Sequence, residues 1–296
     1  VTVGVLVMAY GTPRDRDDIE TYYTDIRRGR APSPELLADL TRRYDALGGT
    51  FPLRALTDAQ VASLASSLGP EYVVTLGTKH SAPRIEDGVQ TLAAQGVSRI
   101  TGLVLAPHYS AFSVGEYAAR AGAAGAERGV SVDVVESWHL LPAYLDFLDR
   151  AVGAALSTMP AGTEVVFTAH SLPERILATG DPYPSQLRET AAAVAARRPD
   201  VPWSVAWQSA GRTPEPWLGP DVLEVLRSRS AQGSPGVVVC ACGFVADHLE
   251  VAYDLDIEAA AVAAELELPF ARTASVNDDA TVLAALAALV ASVAAR

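Results

Sequence analysis

His170 ends a strand-like run, Glu164-Val-Val-Phe-Thr-Ala-His170, and far downstream Glu250, Asp254 and Glu258 recur at a strict spacing of four. Four residues are slightly more than one helical turn, so on a helix these carboxylates share a face and form an acidic ladder. An imidazole with such a ladder can hold a borderline divalent metal loosely, or take up protons one after another. Arg27, Arg28, Arg30, Arg42 and Arg43 crowd a short N-terminal stretch, a local positive patch on a chain of net charge −12. That patch suggests an anionic ligand.

The elements that must position these groups read as βαβ units. Valine-rich apolar runs at 3–10, 72–77, 100–107, 130–138, 165–170, 203–207 and 237–242 predict strands covered on both faces. Stretches of helical period lie at 58–68, 115–127, 185–197, 220–230, 247–266 and 280–295. Tyr10, His80, His108, His139, His170 and Gln208 sit at or just past strand ends, and His248 falls in the first turn of the helix that follows the last run. Ligands of open parallel sheets bind outside the carboxyl ends of the strands, so the chemistry is expected along one edge. Leu105-Ala-Pro-His108-Tyr-Ser and Phe167-Thr-Ala-His170-Ser-Leu look faintly alike, which suggests a duplicated two-domain α/β architecture.

Composition excludes several classes. A chain of 296 residues, 49% hydrophobic, has ample material for one large or two ordinary α/β domains. The acidic balance argues against nucleic acid as a partner. No run of apolar residues is long enough for an integral membrane segment and no basic leader precedes the first strand, so a soluble, cytoplasmic protein is expected. No glycine-rich phosphate-binding pattern follows a strand, so no nucleotide is expected. Cys240 and Cys242 are too few for a four-thiolate site and are read as buried small residues.

Each candidate also has a plainer reading. With Asp247 as N-cap, Asp247-His-Leu-Glu250 is a fair capping box, and Asp254 and Glu258 can form a solvated face. His170 can satisfy a local carbonyl while Ser171-Leu-Pro-Glu174 caps the next helix. Tyr10 can be an aromatic lid on the first strand, Tyr117 a core residue, and Arg42 and Arg43 solvated charges. Spacing alone leaves these alternatives open.

Longer words of sequence narrow the choice. Val7-Met-Ala-Tyr-Gly-Thr-Pro13, Tyr22-Tyr-Thr-Asp-Ile-Arg-Arg-Gly-Arg30, Arg43-Tyr44 before Gly48-Gly49, Lys79-His80, Leu105-Ala-Pro-His108, Thr168-Ala-His-Ser-Leu-Pro173, Asp181-Pro-Tyr-Pro-Ser-Gln-Leu187, Trp207-Gln-Ser, Pro216-Trp-Leu-Gly-Pro-Asp221 and Gly243-Phe-Val-Ala-Asp-His-Leu-Glu250 run nearly end to end. Together they resemble the ferrochelatases, above all the coproporphyrin ferrochelatases of Gram-positive bacteria.

The resemblance implies an α/β fold of two similar Rossmann-like domains with parallel sheets flanked by helices. Residues 1–150 would form the first and 151–277 the second, with a C-terminal helix within 278–296 packed back on the first. It implies a lyase of haem biosynthesis that inserts Fe(II), its metal substrate, into coproporphyrin III to release coprohaem. The alternatives are a relative specialised for another metal or tetrapyrrole, and a non-catalytic porphyrin or haem carrier. His170 and Glu250 match the pair that binds incoming iron, with Asp254 and Glu258 as acids behind it. Tyr10 matches the residue facing the macrocycle from the other side, and Arg27, Arg43, Tyr44 and Tyr117 match positions that contact the macrocycle and its propionates. His170, Glu250 and Tyr10 are thus the expected catalytic residues, with His170 equally open as proton acceptor or iron ligand.

Four propionates suit an arginine-bearing cleft, because a guanidinium pairs bidentately with a carboxylate. Arg84 and Arg212 are further candidates that nothing in the sequence places. Phe51 stands where close relatives have a serine touching the macrocycle, exchanging a polar contact for an aromatic face. Cys240-Ala-Cys242 replaces the usual proline-containing approach to the acidic helix. With only these two cysteines, no iron-sulfur cluster is expected. A monomer is expected.

Overall fold

The computed structural model describes residues 3–49 and 52–296. Phe51 lies outside the described residues. Four strands, β1 (Val3–Ala9), β2 (Tyr72–Thr78), β3 (Arg99–Val104) and β4 (Ser131–Val135), form a parallel sheet in the order β2-β1-β3-β4. A second parallel sheet repeats the pattern with β5 (Glu164–His170), β6 (Trp203–Gln208), β7 (Val237–Cys240) and β8 (Phe270–Arg272), in the order β6-β5-β7-β8. In both, the first strand is interior and nearly all of its residues are buried, which is why its sequence is an unbroken apolar run rather than an alternating one.

The repeat aligns differently from the sequence expectation. By position in the sheet β5 matches β1 and β7 matches β3. The partner of His170 is therefore Tyr10, one residue past β1, and His108 has its counterpart near Cys242. The likeness between the segments around His108 and His170 is not the register of the duplication.

Helices cover both faces. In chain order they are α1 (Ile19–Ile26), α2 (Pro34–Ala46), α3 (Pro52–Leu68), α4 (Ile85–Ala94), α5 (Val114–Ala126), α6 (Pro142–Leu156), α7 (Arg175–Ala178), α8 (Tyr183–Ala195), α9 (Val222–Ala231), α10 (Leu249–Tyr253), α11 (Ala260–Glu265) and α12 (Ala280–Ala294). A π-helical turn, Asp254–Ala259, joins α10 to α11. α6 crosses residue 150 and packs on α8 and β7, while α12 returns to lie on α3 and β3. One buried cluster runs through both halves, from Val5 and Val7 of β1 and Leu64 of α3 to Phe167 of β5, Val238 of β7 and Leu286 of α12. Among the described residues no helix is long and apolar enough to cross a membrane.

The expected single helix over 247–266 is corrected to these three pieces, and Asp247 is not its cap. His248 holds the N-cap position. The Asp247 carboxylate instead accepts bonds from Arg272 at 3.0 Å, Ser275 at 2.9 Å and Asn277 at 3.0 Å. Three long-range donors outweigh one local cap, and they fix the start of the acidic segment to the strand β8 that follows it.

Candidate functional site

The carboxyl ends of both sheets face a cleft of about 500 Å³, walled by Tyr10, Lys79, His80 and Arg84 from the first half and by Leu172 and Pro173 from the second. His170 and Glu250 are not among its lining residues, but Glu250 lies close enough to Tyr10 for its charge to raise the phenol's pKa, after burial itself. Tyr10 thus lies within electrostatic reach of the acid that pairs with His170.

His170 is placed by β5 and its register with Gln208 of β6. Gly243 packs against that strand end: a Cβ there would lie 2.6 Å from the Ala169 Cα, so only glycine lets the turn after β7 approach. The Tyr183 hydroxyl donates to the His170 carbonyl at 3.0 Å. Glu250, in the first turn of α10, has its backbone carbonyl held by Gln208 Nε2 at 2.8 Å, and Thr168 Oγ1 in turn donates to Gln208 Oε1 at 2.8 Å.

The result is an ion pair, His170 Nδ1 to Glu250 Oε2 at 3.0 Å, with 34% of each side chain exposed. Burial works against both charges. For Glu250 the nearby His170, by charge and hydrogen bond, and His248 overcome that penalty and hold the carboxyl well below its usual range. For His170 burial lowers the pKa, but Glu250 and Asp254 together raise it above the ordinary imidazole value. His248 Nε2 stands 3.7 Å from the same Glu250 oxygen while its Nδ1 faces the Ala246 carbonyl at 3.0 Å.

The acids continue, though not along one α-helical face. Glu250 belongs to α10, and Asp254 and Glu258 to the wider π-helical turn, yet the charges of Glu250 and Glu258 both act on Asp254. Asp254 is 6% exposed, accepts from the Ser209 hydroxyl and pairs with Arg43 Nη1 at 3.3 Å. Ser209 reaches it from a left-handed backbone, φ 60°. Among the described residues no three His, Cys, Asp or Glu side chains converge as a ligand set, so His170 and Glu250 stand as two donors.

The arginines and phenols divide. Arg43 is spent on Asp254 and Asp39 and does not present a free fork, while Arg42 donates to the Tyr253 hydroxyl at 2.8 Å with most of its side chain still in solvent. Arg27 stacks over Tyr23 and bonds the Arg30 carbonyl, while Arg28, from φ 57°, lines the cleft. Arg84 also lines it, and Arg212 pairs with Asp39. Tyr44 and Tyr117 are buried, and burial raises the pKa of both phenols. Cys240 and Cys242 are buried and free, and burial keeps the Cys242 thiol protonated. The sequence places Gln208 and His248 along the expected edge without assigning either a role, and nothing in it singles out Ser209.

The family model for ferrochelatase matches residues 2–294. The chain belongs to the ferrochelatase family. It is 44% identical over 300 residues to the coproporphyrin III ferrochelatase of Geobacillus thermodenitrificans, covering 98% of this chain and 95% of that protein. It is 45% identical over 279 residues to that of Halalkalibacterium halodurans, covering 91% and 90%. Among solved structures, SirB from Bacillus subtilis with Fe3+ superposes with a TM-score of 0.61 at 12% identity over 100% of this chain and 96% of that one. CbiX, described as the terminal enzyme for biosynthesis of sirohaem in denitrifying bacteria, gives 0.58 at 16% identity, covering 98% of each chain. At those identities they share the fold, the paired parallel sheets of a chelatase.

Proposed function

We propose that this family member inserts Fe(II) into coproporphyrin III to give coprohaem in haem biosynthesis, with His170 and Glu250 receiving the metal and Tyr10 on the opposite side of the macrocycle. The observation that carries the reading is the ion pair between His170 and Glu250, with Tyr10 lining the neighbouring cleft within reach of the Glu250 charge. Its relatives in Geobacillus and Halalkalibacterium bear the coproporphyrin name.

Insertion exchanges two pyrrole protons for one dication. Glu250 and Asp254 favour the protonated His170 ring in the free protein, and a doubly protonated ring has no lone pair for either role, base or ligand. An arriving dication is the natural displacer, because it takes over the compensation of Glu250. Asp254 and Glu258, electrostatically coupled behind the pair, offer the proton somewhere to go. Tyr10 stays a neutral phenol although 42% of the residue is exposed, since desolvation by its surroundings and the neighbouring Glu250 and Glu116 oppose its ionisation.

The test is anaerobic turnover of coproporphyrin III and protoporphyrin IX with Fe(II), followed by absorbance. Coproporphyrin should be metallated preferentially, and His170→Ala should abolish turnover while porphyrin binding persists. Unchanged turnover in the variant would reject the site. Tight product binding with a single turnover would mark a carrier instead.

A further inference from the structure

The cleft wall on the Tyr10 side is built of cations, and each is matched to an acid in a different way. Arg120 is forked onto Glu86 at 2.7 and 2.8 Å, and Arg84 shares Asp25 with His80 at 2.9 and 2.7 Å. Arg84 and Arg120 also both donate to the Lys79 carbonyl, at 3.1 and 2.8 Å, which fixes that residue's backbone. These pairs are scaffold.

Glu116 differs. It stands in the first turn of α5 with 36% of its side chain exposed, one oxygen on Lys79 Nζ and the other 3.8 Å from Arg28 Nη2. Lys79 and Arg28 both line the cleft and come from separate elements, and Lys79 sits 5.5 Å over the ring of Tyr117. Two cations thus converge on one carboxylate, at a helix N-terminus that itself favours an anion. The arrangement is a carboxylate receptor filled by the protein's own side chain.

We propose that Lys79 and Arg28 form a subsite for one carboxylate of the porphyrin, which Glu116 occupies in the free protein and vacates when substrate binds. This rests on the reading of a porphyrin carboxylate as the ligand of the cleft. Glu116 then acts as an internal competitor: it keeps two cations from confronting each other in the empty cleft, and a substrate carboxylate must outcompete it.

Binding of metal-free coproporphyrin III, followed by fluorescence quenching, tests this in wild type, Glu116→Gln, Lys79→Met and the double variant. A charge-assisted hydrogen bond lost or regained corresponds to about tenfold in affinity. Glu116→Gln should bind about tenfold more tightly than wild type, and Lys79→Met should bind more weakly. The loss caused by Lys79→Met should be larger in the Glu116→Gln background, where the receptor is vacant, and Lys79→Arg should restore binding. Weaker or unchanged binding in Glu116→Gln overturns the proposal, since a mere buttress for Lys79 gives that result. If wild type turns over coproporphyrin while Glu116→Gln gains nothing, the subsite alone fails. If wild type neither binds nor metallates it, the functional reading fails as well.

Discussion

The Asp254 carboxyl is 6% exposed, and burial first, then Glu250 and Glu258, push its pKa up to about 6 against the opposing pull of Ser209 and Arg43. A raised value means that the folded protein binds this proton more tightly than the unfolded chain does. The associated stability is fully present below about pH 4 and is lost as pH rises through about 6, a swing of at most roughly 3 kcal/mol. Asp254→Asn keeps the shape and removes the titration. Its stability relative to wild type should therefore increase between pH 4 and pH 7.5, measured by urea unfolding at several pH values, and a pH-independent difference would refute the assignment. The same residue shows where reading side chains from sequence stops. Spacing of four puts Asp254 on the face expected for Glu250, but Arg43 arrives from α2, 211 residues earlier, and no local pattern encodes that it pairs with an acid rather than with substrate. Likewise Arg27 and Arg28 are adjacent in the chain, and it is the left-handed backbone at Arg28 that goes with its place on the cleft wall.

At the scale of elements, seven of the eight described strands stand where apolar runs fall, most plainly the interior β1, β3, β5 and β7, because burial on both faces writes a continuous run. β8 does not, since Phe270–Arg272 is three half-buried residues at a sheet edge with no run to betray it. The π-helical turn was equally hidden: its hydrogen-bond shift is a backbone property, and α-helical spacing reads through it. What the elements then do for chemistry rests on close approach. The turn after β7 lies against β5 at Gly243, whose N–H donates to the Thr168 carbonyl at 2.9 Å. An alanine there would meet the backbone of Ala169, which as part of an interior strand cannot retreat. Gly243→Ala should cost about 1–3 kcal/mol and shift His170 relative to Glu250. Thermal unfolding should show the loss, and Fe(II) turnover should fall further than porphyrin affinity. Turnover at the wild-type level would show that the strand end does not set the pair.

At the scale of the molecule, the repeated sheet pattern puts Tyr10 and His170 at equivalent strand ends, one in each half. The units are nevertheless not independent. α12 leaves the second sheet to pack on α3 and β3, and α6 lies against both α8 and α12. The apolar cluster joining them is continuous, with Leu286 of α12 1% exposed. The halves are tied a second time where α2 meets α10 and the π-helical turn, through Arg42 with Tyr253 and Arg43 with Asp254. Two buried tryptophans report on the halves separately: Trp138 donates to the Val104 carbonyl in the first, and Trp207 stacks near Tyr183 in the second. Variants retaining one or the other should unfold at the same denaturant concentration. Leu286→Ala, which empties a core site at a cost of about 2–5 kcal/mol, should lower both midpoints together although it lies in neither sheet. Two separated transitions, or a shift seen only by Trp138, would mean that the shared core does not couple the halves and that the cleft opens between them.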